Sequence, residues 1–83
     1  MKFRIMKYDN KYCVEYKELL FWHNVMWFRC GWTMFSESLY CEEDWVDGIY
    51  SEQVAKQCLE NFKKYLNKYY YKHITKVETV YEE

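Results

Sequence analysis

The stretch "MKFRIMKYDNKYCVEYK", residues 1–17, decides how this chain begins to fold. Asp9 and Asn10 sit between two runs of alternating character, and both residue types tolerate positive φ in a two-residue hairpin turn. Pairing outward from that turn sets Ile5 opposite Val14, Phe3 opposite Tyr16 and Arg4 opposite Glu15. Phe3, Ile5, Tyr12, Val14 and Tyr16 then share one face. Arg4, Met6, Tyr8, Lys11, Cys13 and Glu15 share the other. Apolar pairs on one side with a charge pair on the other is what a half-buried hairpin requires.

Beyond the hairpin the pattern changes. Residues 18–24, "ELLFWHN", finish the second strand, with His23-Asn24 as the expected break. Residues 25–30, "VMWFRC", read as a third strand that is apolar on both sides. One helix covers one face of a small sheet, so one side of that strand is expected to stay exposed or to be held by a partner. Gly31 permits a turn or bulge, and "WTMFS" reads as a fourth short strand or a continuation. From Cys30 to Ala55 there is no Lys or Arg, whereas Glu37, Glu42, Glu43, Asp44, Asp47 and Glu52 all fall there.

Residues 51–70 carry the clearest helical period. Val54, Cys58, Leu59, Phe62, Leu66 and Tyr69 recur at steps of three and four, and Ala55 and Tyr65 widen the stripe. Ser51 stands at the N-cap, with Glu52 beside the positive end of the dipole. Glu52 with Lys56 and Glu60 with Lys64 are spaced for i,i+4 pairs. Residues 73–81, "HITKVETVY", read as a last strand. The expectation is therefore one α+β domain over residues 1–83. A small twisted antiparallel sheet of three to five strands would pack on one helix, in the order β-β-β-(β)-α-β.

Composition narrows the function classes. Aromatic residues make up 23% of 83 residues. Each ring buries about 150–250 Å², so few residues can close a core. No run approaches the roughly 18 apolar residues of a membrane span. The N-terminus lacks a signal-peptide apolar stretch. A cytoplasmic setting follows as the expectation, and Cys13, Cys30, Cys41 and Cys58 read as thiols. Their spacing lacks the short knuckles of a local zinc site, although a dispersed metal site stays open at this level. No Cys–His pairing or glycine-rich turn points to catalysis, so no catalytic residue, metal ligand or cofactor is assigned.

Two surfaces remain as candidates. Trp22, Trp27, Trp32, Tyr40 and Trp45 are candidate anchors, with Glu42, Glu43, Asp44 and Asp47 as steering charges toward a basic, partly apolar protein surface. Lys63, Lys64, Lys68 and Lys72, beside Tyr70 and Tyr71, form the alternative: a nucleic-acid face of stacking rings and phosphate-binding cations. The sequence pI of about 6.1 weighs against it. A third reading is an oligomer that sequesters a small ligand, such as a nucleotide, between rings. The basic helix and hairpin set against an acidic middle also suit head-to-tail self-association.

The lysine- and tyrosine-rich hairpin, the "LFW" after it and the "YSEQVAKQCLENF" helix together resemble small accessory proteins of bacteriophages. That resemblance implies a small antiparallel sheet with one helix. It also implies a non-enzymatic role in the host cytoplasm, binding and inhibiting a host or defence protein. It assigns no residue.

Overall fold

The computed structural model describes residues 1–38 and 48–71. Strand β1 (Lys2–Tyr8) and strand β2 (Lys11–Glu18) form the expected hairpin. The register is the one read from the sequence, with Phe3 opposite Tyr16, Arg4 opposite Glu15 and Ile5 opposite Val14. Asp9 holds the turn at φ 56°. Strand β3 (Phe21–Asn24) adds to the free edge of β2, setting Tyr16 against His23 and Lys17 against Trp22. The sheet order is β1-β2-β3, antiparallel throughout.

The segment expected as a third strand over 25–30 is something else. Val25–Trp27 is a 3₁₀ turn, started by Asn24, whose side-chain oxygen accepts from the Met26 backbone N–H at 2.9 Å. A 3₁₀ turn has no two-sided alternation. Val25, Met26 and Phe28 therefore all bury, and only Trp27 turns out. The third strand lies earlier, at residues 21–24, and the break falls at Leu19-Leu20 instead of His23-Asn24. Strand β4 (Arg29–Cys30) and strand β5 (Thr33–Met34) make a separate small hairpin, with Gly31 at φ 62° in its turn. A second 3₁₀ turn, Phe35–Glu37, buries Phe35.

Helix α1 (Glu52–Tyr65) is where the periodicity puts it. Ile49 bridges to Tyr12, whose N–H donates to the Ile49 carbonyl at 2.6 Å, and this delivers the chain to the sheet before the helix starts. Ser51 has the extended backbone of an N-cap, and its carbonyl accepts the first helical bond from Ala55 at 3.0 Å, but its side chain makes no capping bond. Lys56 pairs with Glu52 at 3.5 Å. Glu60 meets Lys63, one position earlier than expected, at 3.7 Å. The stripe Ala55, Cys58, Phe62, Tyr65 and Leu66 is buried, and Lys56, Glu60, Lys63, Lys64, Asn67 and Lys68 face out.

Five rings, Tyr16, Phe28, Phe35, Phe62 and Tyr65, interlock at the centre of the buried core. Phe62 packs on Phe3, Tyr16, Phe28, Phe35 and Tyr65, with centroids 5.1–6.3 Å apart; the contacts to Phe3, Phe28 and Phe35 are edge-to-face and those to Tyr16 and Tyr65 are stacked. Such pairs add about 0.5–1.5 kcal/mol each beyond their buried area. After Tyr65 the helix widens into a π-helical segment, Leu66–Tyr71. The wider i→i+5 turn brings successive tyrosines toward the core. Tyr69 packs on Tyr65 at 5.0 Å and Tyr70 on Phe28 at 5.5 Å. No helix among the described residues is long and apolar enough to cross a membrane. The strand expected over 73–81 lies outside the described residues.

Candidate protein-docking surface

Three two-residue turns close the hairpins, and each holds its first residue at positive φ: Asp9 at 56°, Leu19 at 60° and Gly31 at 62°. Asp and Gly suit that conformation. Leucine does not, because a left-handed backbone crowds its Cβ at a cost of about 1–2 kcal/mol. The turn is nevertheless Leu19-Leu20, followed by Phe21. These three side chains are 90%, 81% and 68% exposed. Strain and exposure thus coincide at Leu19.

Trp22 is the next residue, on the opposite face of the sheet from Phe21. The Arg4 guanidinium lies 4.1 Å from its ring centroid, and the Lys17 ammonium 5.9 Å. Arg4 is held there by Glu15, with Nε to Oε1 at 2.7 Å. The ring is half-buried and its orientation is fixed. Trp27 is 68% exposed because the 3₁₀ turn faces it outward, and Trp32 is fully exposed at the Gly31-Trp32 turn.

Topology gathers most of these at one end. Ile49, just before α1, bridges to Tyr12 near the start of β2, and Phe62 packs on Tyr16 near its end. Helix and strand therefore run in the same direction. The Leu19-Leu20 turn and the last turns of the helix lie at the same end of the molecule. The β4–β5 hairpin is tied there too. Tyr65 Oη donates to the Thr33 carbonyl at 2.6 Å, and Cys30 Sγ to the Tyr69 carbonyl at 3.2 Å.

The remaining candidates separate. Tyr40, Glu42, Glu43, Asp44, Trp45 and Asp47 lie outside the described residues, as does Lys72. Lys63, Lys64 and Lys68 are exposed, but Tyr69 and Tyr70 beside them are not free platforms. Tyr70 packs on Phe28, and Tyr69 on Tyr65. Lys63 itself lies 5.7 Å from the Phe3 ring. Tyr71 belongs to the π-helical segment.

Among the described residues, burial moves Cys13 and Tyr16 away from their ionised forms. Burial, reinforced by Glu15, pushes the Cys13 thiol up, away from thiolate. Burial and Glu18 push the Tyr16 hydroxyl up. Among the described residues no group of three His, Cys, Asp or Glu is placed to hold a metal ion.

Leu19, Leu20 and Phe21 escaped the sequence reading because leucine is no turn former. The available signal was the length of the second strand. Continued pairing past Tyr16 leaves only "LL" between Glu18 and Phe21. Comparison with family models, curated proteins and solved structures finds no match to this chain.

Proposed function

We propose that this protein is a non-enzymatic binding module that docks on another protein through the end bearing Leu19, Leu20 and Phe21. Trp22, Trp27 and Trp32 add ring surface. The observation that carries the reading is the Leu19-Leu20 turn, with a leucine at φ 60° and two side chains almost wholly in water. Neither leucine contributes to the buried core. Contiguous exposed apolar residues of this kind mark interaction sites.

The bacteriophage resemblance adds a role to that surface: inhibition of a host or defence protein in the host cytoplasm. The acidic stretch Glu42, Glu43, Asp44 and Asp47, with Tyr40 and Trp45, would steer the encounter with a basic partner. Nucleic-acid binding is less well supported, because Tyr69 and Tyr70 are committed to the core.

The test is affinity capture from bacterial lysate after nuclease treatment, comparing the natural chain with the double variant Leu19→Asn, Leu20→Asn. The expected result is one stoichiometric protein with the natural chain and none with the variant. Equal capture by both, or capture of nucleic acid alone before nuclease, overturns the proposal.

A further inference from the structure

The face of the three-stranded sheet turned away from the helix carries an unbalanced charge. By alternation it presents Lys2, Arg4, Met6 and Tyr8 from β1, Lys11, Cys13, Glu15 and Lys17 from β2, and Trp22 and Asn24 from β3. Four cations stand against the single acid Glu15. Lys2 and Lys17 are direct cross-strand partners. Like charges in that position are about 4.5–5.5 Å apart at Cβ and destabilise the pair. Trp22 is the next residue across the same rung.

Arg4 stands one rung inward, and its guanidinium is pre-oriented. Glu15 takes its Nε at 2.7 Å, and Trp22 supports the plane at 4.1 Å. Among the described residues only Nε is engaged, which leaves the Nη donors for a further acceptor. An arginine held flat on a ring, with part of its fork unused, is arranged for a second planar anion at little entropic cost. Lys2 and Lys17 supply further positive charge beside it. The apolar turn Leu19-Leu20 continues from the same strand two residues beyond Lys17.

We propose that this face, centred on Arg4, Lys17 and Trp22, binds side-chain carboxylates of an acidic polypeptide segment whose neighbouring apolar side chains rest on Leu19 and Leu20. The inference rests on the binding-module reading and names the chemistry of the one partner segment that meets this face, apart from any basic surface met by the acidic stretch. Charge complementarity selects an anion. The leucines select a polypeptide over a nucleic acid, because a sugar-phosphate strand brings nothing aliphatic to them. Trp22 selects the same way. Cations already lie over its ring, at 4.1 and 5.9 Å, where a base would have to stack.

The experiment is fluorescence polarisation with the full chain and three labelled probes. The first is a short peptide alternating Glu with Leu, the second the same peptide with Gln for Glu, and the third oligothymidylate. The first peptide should bind, and Gln should weaken it about tenfold or more, as expected for loss of charge-assisted hydrogen bonds. Lys17→Glu should weaken it to a similar degree while removing the Lys2–Lys17 repulsion, so its unfolding midpoint should not fall. Arg4→Lys should bind weakly, because charge stays and the fork is lost.

Equal binding of the Glu and Gln peptides overturns the proposal, as does indifference to Lys17→Glu. Tight oligothymidylate binding with no peptide binding reassigns the face to nucleic acid and also overturns it. The two readings separate cleanly in lysate capture. A protein lost with Leu19→Asn, Leu20→Asn but kept with Lys17→Glu would remove this inference and leave the binding module standing.

Discussion

Phe62 sits fully buried where Phe3, Tyr16, Phe28, Phe35 and Tyr65 converge. It joins the helix to the hairpin and to both 3₁₀-flanked segments at once. Phe62→Ala should cost about 3–5 kcal/mol, through lost burial and the cavity left among rings that cannot collapse. Against a total of about 5–15 kcal/mol for a domain, that leaves a marginal fold. Urea denaturation followed by far-UV circular dichroism checks it, and Phe62→Leu should fall between the two. Leu19 and Leu20 sit at the other extreme, with about nine-tenths and eight-tenths of their surface in water. Two large aliphatic side chains thus stand in water beside a core in which Val14, Val25, Ile49 and Leu66 are buried with the rings.

Among the elements, the link between the β4–β5 hairpin and the helix is the most exposed to chemical test. Tyr65 Oη donates to Thr33 O, and the hydroxyl is buried enough that its pKa is pushed up to about 12 from an ordinary 10.0. Burial is the main cause. Cys30 and Tyr69 add to the rise, and the Cys30 backbone contact opposes it. A hydroxyl whose folded pKa is raised favours folding while it is neutral. Its contribution is complete below about pH 10 and lost as pH climbs toward about 12. Tyr65→Phe should cost about 1–2 kcal/mol at neutral pH, because Thr33 O loses its donor. It should also flatten the fall of stability over that alkaline window, which urea midpoints measured across pH will show.

The same elements show what a sequence can and cannot carry. The first hairpin was legible to the residue, because Asp9-Asn10 suits its turn and the alternation admits one register. The helix was legible because its stripe has a single period. Residues 21–34 were not. "VMWFRC" lacks alternation, and the observed answer is a three-residue turn started by Asn24, which a strand reading has no place for. The π-helical widening at Leu66–Tyr71 leaves no mark in a pattern counted at steps of three and four. Of the candidate anchors, Trp27 and Trp32 are exposed through turns and not through the expected open strand face.

At the scale of the molecule, the three-stranded sheet and the small second hairpin of the described residues share one ring-centred core with helix α1. Parallel running of β2 and α1 puts the Leu19-Leu20 turn, the end of the helix and the β4–β5 hairpin together. The account's central claim is that this end is kept for a partner at the expense of the fold. The claim can be tested before any partner is known. The measurement is the urea unfolding midpoint of Leu19→Asn, Leu20→Asn beside the natural chain. Asparagine tolerates the φ 60° backbone that strains Leu19. The account predicts a midpoint equal to or above that of the natural chain, by up to about 1 kcal/mol of added stability. A clear fall in the midpoint would mean that the two leucines serve the fold, and would contradict the account.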